Sequence, residues 1–119
     1  MISPEAMQIL NAMVMAETEG NCNATGASGE SHCLQYMPDS WVLYSQKYLG
    51  YVAELTEVNG LYVGYLAIID FLERGLTPAQ IALAWNAGEA AKTCSRGINR
   101  YGIPYDSCAH VEKVLAYLR

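Results

Sequence analysis

Glu17 is the side chain whose placement first suggests chemistry. Positions 6, 10, 13 and 17 share one helical face, because steps of three and four residues return to the same side. The first three are Ala6, Leu10 and Met13, and the fourth is a carboxylate. The pattern sends Glu17 toward the core at the C-terminal end of its helix. Desolvation and the negative end of the helix dipole both favour the neutral acid there. A carboxyl that keeps its proton near neutrality is what a general acid requires. Glu19 lies about 200° further round the helix and should point to water.

Cysteine is the second chemistry-bearing type. Cys22, Cys33, Cys94 and Cys108 contain no Cys-x-x-Cys pair, and their spacings with the two His fit no common zinc pattern. No metal or cofactor is implied. Four buried free thiols are the bland alternative. All four lie in Gly/Ser/Asn-rich stretches rather than on apolar helix faces, which favours two disulfides. Of three possible connectivities, the local one, Cys22–Cys33 with Cys94–Cys108, ranks first. Disulfides imply an oxidising place: a periplasm, a cell surface or the outside of a cell. The first fifteen residues show no basic start and no cleavage site. The expectation is a mature fragment, a domain of something longer, or a chain exported another way.

Helices must position these groups. Ser3-Pro4 is an N-cap with proline at the first helical position, starting a helix to about Thr18 that stops near Gly20. Residues 20–33 read as a loop. Pro38 opens a short helix carrying Trp41, Tyr44 and Tyr48, with Gly50 at its end. Thr56 caps a third, with Leu61, Tyr65, Ile68, Ile69 and Leu72 on its apolar face and Gly75 beyond it. Thr77-Pro78-Ala79-Gln80 is a capping box opening a fourth helix as far as Trp85. Residues 86–107 read mostly as loop. A last helix, from about Ser107 to Leu118, buries Val111, Val114, Leu115 and Leu118. No strand alternation is visible. The expectation is an all-α domain over residues 1–119, with five or six helices and long disulfide-braced loops.

Composition narrows the partners. The 119 residues are 52% hydrophobic and 16% charged, which excludes intrinsic disorder. Twelve acidic against seven basic side chains give a net charge of −5, so no nucleic-acid footprint exists. No apolar run approaches the length of a membrane span, so no membrane insertion is expected. Nine Tyr against one Phe is a bias toward wet, hydrogen-bonding surfaces. It suits a carbohydrate groove or a protein-interaction face.

The segment following Glu17 resembles the first motif of the soluble lytic transglycosylase family of the lysozyme superfamily. That motif is a catalytic Glu in a Glu-Ser-x-x-Asn start, followed by Gly-Ala-x-Gly-Leu-Met-Gln-x-Met-Pro. Asn21, Gly29, Ser31, Leu34, Gln35, Met37 and Pro38 fall on its positions, and the spacing from Glu17 to Gln35 matches without a gap. Ala84-Trp85-Asn86-Ala87-Gly88 is similar to the family's Ala-x-Tyr-Asn-Ala-Gly. Ile103-Pro104-Tyr105 and His110-Val111 partly match its Ile-Pro-Phe/Tyr-x-Glu-Thr-x-x-Tyr-Val. The likeness runs from about residue 5 to 118, and the ordered set is far more specific than any one motif.

This resemblance implies a lysozyme-like fold and a peptidoglycan substrate, cut between N-acetylmuramic acid and N-acetylglucosamine. Glu17 would act as general acid and then base. The product would carry a 1,6-anhydro end, or a reducing end if water attacks, as in a hydrolytic muramidase. Ser31, Gln35, Met37, Trp85, Asn86 and Tyr105 would line the glycan groove. A catalytically silent wall-binding or assembly module is the reading from another class. Either could belong to a larger secretion, conjugation or phage protein. The chain also departs from the pattern. The third motif's Glu falls on Ser107 beside Asp106, and one residue is missing before His110. His32 and Cys33 replace the residues before Leu34, and His32 reads as a loop surface residue. Glu30 and Asp39 are carboxylates whose spacing assigns them no role.

Overall fold

The computed structural model describes residues 3–119. It contains α1 (Pro4–Thr18), α2 (Pro38–Leu49), α3 (Glu57–Glu73), α4 (Pro78–Ala87), strands β1 (Arg96–Ile98) and β2 (Pro104–Asp106), and α5 (Ser107–Leu118). The caps read from the sequence all form. The hydroxyls of Ser3, Thr56 and Thr77 accept from the amides of Ala6, Asn59 and Gln80, filling donors that a helix start leaves open. Gln80 bonds back to the Thr77 amide, completing the capping box. Asp106 caps α5 through the Ala109 amide. Helix α4 runs two residues beyond Trp85, because the Gly88 amide still reaches the Ala84 carbonyl at 3.0 Å.

The core gathers one face of every helix. Helix α1 packs on α3 and α5, and α5 also packs on α4. Ala6, Ile9, Leu10 and Met13 meet Val63, Ala67, Ile68, Phe71, Ile81 and Val114 with almost no exposure. The buried face of α3 overlaps the expected one only in part: Ile68 is enclosed as expected. Val63, Ala67, Ile68 and Phe71 are fully enclosed, whereas Leu61, Tyr65, Ile69 and Leu72 flank them half-buried. On α5 only Val114 of the expected residues is fully buried, and Val111, Leu115 and Leu118 are half-buried. On α3 the reason is the small-residue strip Gly60, Gly64 and Ala67, which lets the chain around Leu34 and Tyr36 lie against the helix axis. Tyr36 donates its hydroxyl to the Gly60 carbonyl at 2.7 Å. A Cβ at Gly64 would overlap Leu34 Cδ1.

A substitution tests that close approach. Alanine gains about 1 kcal/mol of helix propensity over glycine, but overpacking a filled core costs about 1–3 kcal/mol. Leu34 is fully buried, so giving way to the new methyl means repacking among enclosed neighbours. Gly64→Ala is expected to lower stability by up to about 2 kcal/mol in urea denaturation. An unchanged midpoint would show that Leu34 repacks freely.

The segment expected to be loop contains a hairpin instead. β1 and β2 pair antiparallel, with Gly97 opposite Tyr105. Its strands have three residues each and are exposed throughout, so no buried face leaves an alternating signature in the sequence. Asn99 closes the turn, its Oδ1 accepting from the Tyr101 and Ile103 amides at 2.9 and 3.0 Å. Both disulfides form in the local pairing, Cys22–Cys33 and Cys94–Cys108. Beside the second, Ser107 is buried and its hydroxyl exchanges two hydrogen bonds with the Ser95 backbone, at 2.8 and 2.9 Å. Among the described residues, no helix is long and apolar enough to cross a membrane.

Candidate active site

The loop after α1 is folded as tightly as a secondary-structure element. Ser31 and Tyr36 exchange backbone bonds at 3.0 Å in both directions, and the Gly26 amide reaches the Glu30 carbonyl at 2.7 Å. Thr18, one residue past Glu17, donates its hydroxyl to the Cys33 carbonyl at 3.1 Å. The Cys22–Cys33 bridge crosses the same base. From the other side, Trp85 of α4 donates its indole N–H to the Leu34 carbonyl at 3.0 Å. Gln35 therefore sits where three elements converge.

His32 and Gln35 both adopt left-handed backbone, with φ of 71° and 54°. Such non-glycine residues carry local strain that the surroundings must offset. Gln35 is held by its own amide: Nε2 donates to the carbonyls of His32 and Ala24 at 2.7 and 3.1 Å. Its carbonyl oxygen is the part of that amide left with acceptor capacity to spare.

A cavity of about 410 Å³ opens above this junction, lined by Glu17, Glu30, Gln35, Tyr36, Met37, Ser40, Tyr44, Ala84, Trp85, Asn86 and Gly88. A neighbouring cavity of about 590 Å³ shares Glu30, Met37 and Asn86 with it and extends under the hairpin to Asn99, Tyr101 and Tyr105. Asn99 Nδ2 donates to Ser28 Oγ at 3.1 Å, joining the hairpin to the loop across that second space. The aromatic wall is ordered. Tyr44 stacks on Trp85 with ring centres 5.4 Å apart and planes 21° from parallel. Tyr36 meets Trp85 edge-on. Tyr44 is also held by its hydroxyl, which donates to Glu89 Oε2 at 2.9 Å.

Glu17 lies on the expected face, its side chain only 14% exposed. Burial raises its pKa to about 7, the charge of Glu30 adds to the rise, and Lys113 opposes it. Neutral Glu17 is therefore well populated just below neutrality, and the residue lines a space large enough for a ligand. His110 of α5 stands beside it, Nε2 lying 3.4 Å from Glu17 Oε1.

Set against protein-family models, curated protein sequences and solved structures, the chain matches none.

Of the residues singled out in the sequence, Glu17, Gln35, Met37, Trp85 and Asn86 come together at the first cavity. Tyr105 lines the second cavity and not the first. Ser31 lines neither: its backbone is taken by Tyr36, and its hydroxyl lies 3.2 Å from His32 Nδ1. Ser31 serves the loop rather than the cavity. His32 is half-buried rather than free on the surface.

Three groups had no role assigned from the sequence. Tyr44 was visible only as one aromatic of a helix. His110 was visible only as a partial motif match. Glu30 had no periodicity to place it, yet Gly26 carried a signal: the Glu30 side chain folds across it, where any Cβ would collide with the carboxylate. Glu30 Oε1 also accepts from the Ser28 amide at 3.0 Å. The tightest cluster of metal-ligand types among the described residues is Cys22, Cys33 and Glu57, and both sulfurs there are spent in the disulfide.

Proposed function

We propose that this chain is a lysozyme-like glycosidase that cleaves peptidoglycan between N-acetylmuramic acid and N-acetylglucosamine, with Glu17 as general acid. The observation that carries the reading is a buried carboxyl whose pKa is pushed to about 7, facing a cavity walled by stacked aromatics and side-chain amides. Sugar rings offer apolar faces and polar edges, so Trp85 and Tyr44 suit the faces, and Gln35 and Asn86 suit the edges. The motif resemblance supplies the polymer. Glu17 protonates the leaving oxygen as the glycosidic bond breaks. The N-acetyl group of the substrate offsets the oxocarbenium-like charge. Ionised Glu17 then takes the proton of the muramyl 6-hydroxyl, closing a 1,6-anhydro ring as in a lytic transglycosylase. Two disulfides suit work outside the cytoplasm, in the periplasm, at the cell surface or in a secreted state. The chain would act on glycan strands alone or within a larger secretion, conjugation or phage assembly.

One observation favours a hydrolytic muramidase instead: Glu30 shares the cavity with Glu17. A second carboxylate in the cavity would serve as the base that takes a proton from attacking water. Mass spectrometry of digested purified wall separates the two readings by anhydro or reducing ends. No soluble fragments at all would sink both and leave a wall-binding module. Glu30→Gln removes the charge that helps keep Glu17 protonated. The alkaline limb of the activity profile is therefore expected to move to lower pH. Loss of reducing ends in that variant would identify Glu30 as the base, and an unmoved limb would show that its charge does not reach Glu17.

A further inference from the structure

His110 Nε2 is buried and makes no hydrogen bond, although Glu17 Oε1 lies 3.4 Å away. A buried, unsatisfied ring nitrogen costs free energy unless it has a use, and bonds to a reacting group often tighten only when the reaction proceeds. An ion pair is not that use. Burial lowers the pKa of His110 and raises that of Glu17, so each side chain favours its neutral form. One proton then matters, and its position depends on the imidazole tautomer. With the proton on Nδ1, Nε2 would accept the Glu17 proton and turn it away from the cavity. With the proton on Nε2, the ring donates to Oε1 and leaves the acid proton on the other oxygen.

We propose that His110 is a positioning residue that presents Nε2–H to Glu17 Oε1, fixing the carboxyl so that its second oxygen carries the acid proton into the cavity. The proposal rests on the reading of Glu17 as an acid. The bond strengthens when Glu17 becomes a carboxylate, because a charged acceptor binds a donor more tightly. The surroundings permit this assignment. The charged groups acting on the pair are Glu30 from the loop and Lys113 from α5. Helix α4, packed on α5, carries no ionisable side chain, and α1 carries only Glu5 besides Glu17.

Nitrogen-15 NMR of the wild-type chain reads the tautomer directly, and carbon-13 NMR reads the titration of Glu17. Neutral His110 is expected as the Nε2–H form. In His110→Phe the carboxylate loses its donor, and Glu17 should titrate higher, by on the order of one pH unit. Activity on purified walls should fall roughly ten- to a hundredfold through kcat rather than KM. His110→Gln, which keeps an N–H, should restore most of both. An Nδ1–H tautomer in the wild type would overturn the proposal, and so would an unchanged Glu17 titration in His110→Phe. The two NMR readouts need no substrate. A titration that responds in a chain without wall activity would refute the enzyme reading and leave the positioning contact standing.

Discussion

Glu17→Gln is expected to reduce wall lysis by about a thousandfold, the size of a general acid's contribution. The amide is nearly isosteric with the acid but has no proton to give to the leaving oxygen. Wild-type activity should fall as pH rises through about 7, because the protonated form reacts. The same variant is expected to be at least as stable as the wild type at neutral pH. In the folded chain the Glu17 pKa stands at about 7 rather than 4.5, so its charge opposes folding. Below pH 4.5 the group is neutral in both states and the penalty is absent; it builds between 4.5 and 7 and is complete above. At full size it is on the order of 3 kcal/mol. Thermal melts from pH 4 to 8 check both halves of this expectation. A Glu17→Gln chain that melts lower than wild type at pH 8, or that still lyses walls, would mean that Glu17 is a satisfied structural residue.

Breaking the Cys22–Cys33 bridge should cost both stability and activity. A loop of this size loses about 3 kcal/mol of stabilisation when the cross-link is removed. That is a large share of the roughly 5–15 kcal/mol that holds a domain together. Cys33 precedes Leu34 and Gln35, and its carbonyl is the acceptor for Thr18. A paired Cys22→Ala/Cys33→Ala replacement is therefore expected to lower the urea midpoint and to loosen Gln35 in the cavity, reducing kcat. Removing Cys94–Cys108 the same way should lower the midpoint by a similar amount. It should affect activity less, because that bridge braces the hairpin rather than the Glu17 loop. Equal losses of activity from the two pairs would contradict this division of labour.

Helix ends were legible because local chemistry sets them. Ser3-Pro4, Thr56 and Thr77-Pro78 with Gln80 each fix a start within a few residues of sequence. Glu17 was legible because a helical face is periodic. The disulfide pairing was legible because each bridge closes a short loop. The hairpin was not, since three exposed residues per strand leave no hydrophobic pattern. Tyr44 and His110 were not, because their partners Glu89 and Glu17 lie far away along the chain. Ser31 matched a motif position, yet its backbone pairing with Tyr36 turns it to internal duty.

The loop that carries Gln35 is anchored by Thr18, Trp85 and Tyr36 to three different helices, and each of these bonds ends on a backbone carbonyl. Such a segment has no opening reaction of its own, because freeing it means breaking contacts to the shared core. Its local unfolding free energy approaches that of the whole molecule, as for a core helix rather than a surface loop. The hairpin is different: exposed along both strands, it is tied to the loop through Asn99 and Ser28. The two walls of the cleft therefore belong to different cooperative units. One keeps its shape until the protein unfolds. The other, exposed along both strands, opens at a lower free energy than the core, while the Cys94–Cys108 bridge keeps its base on α5.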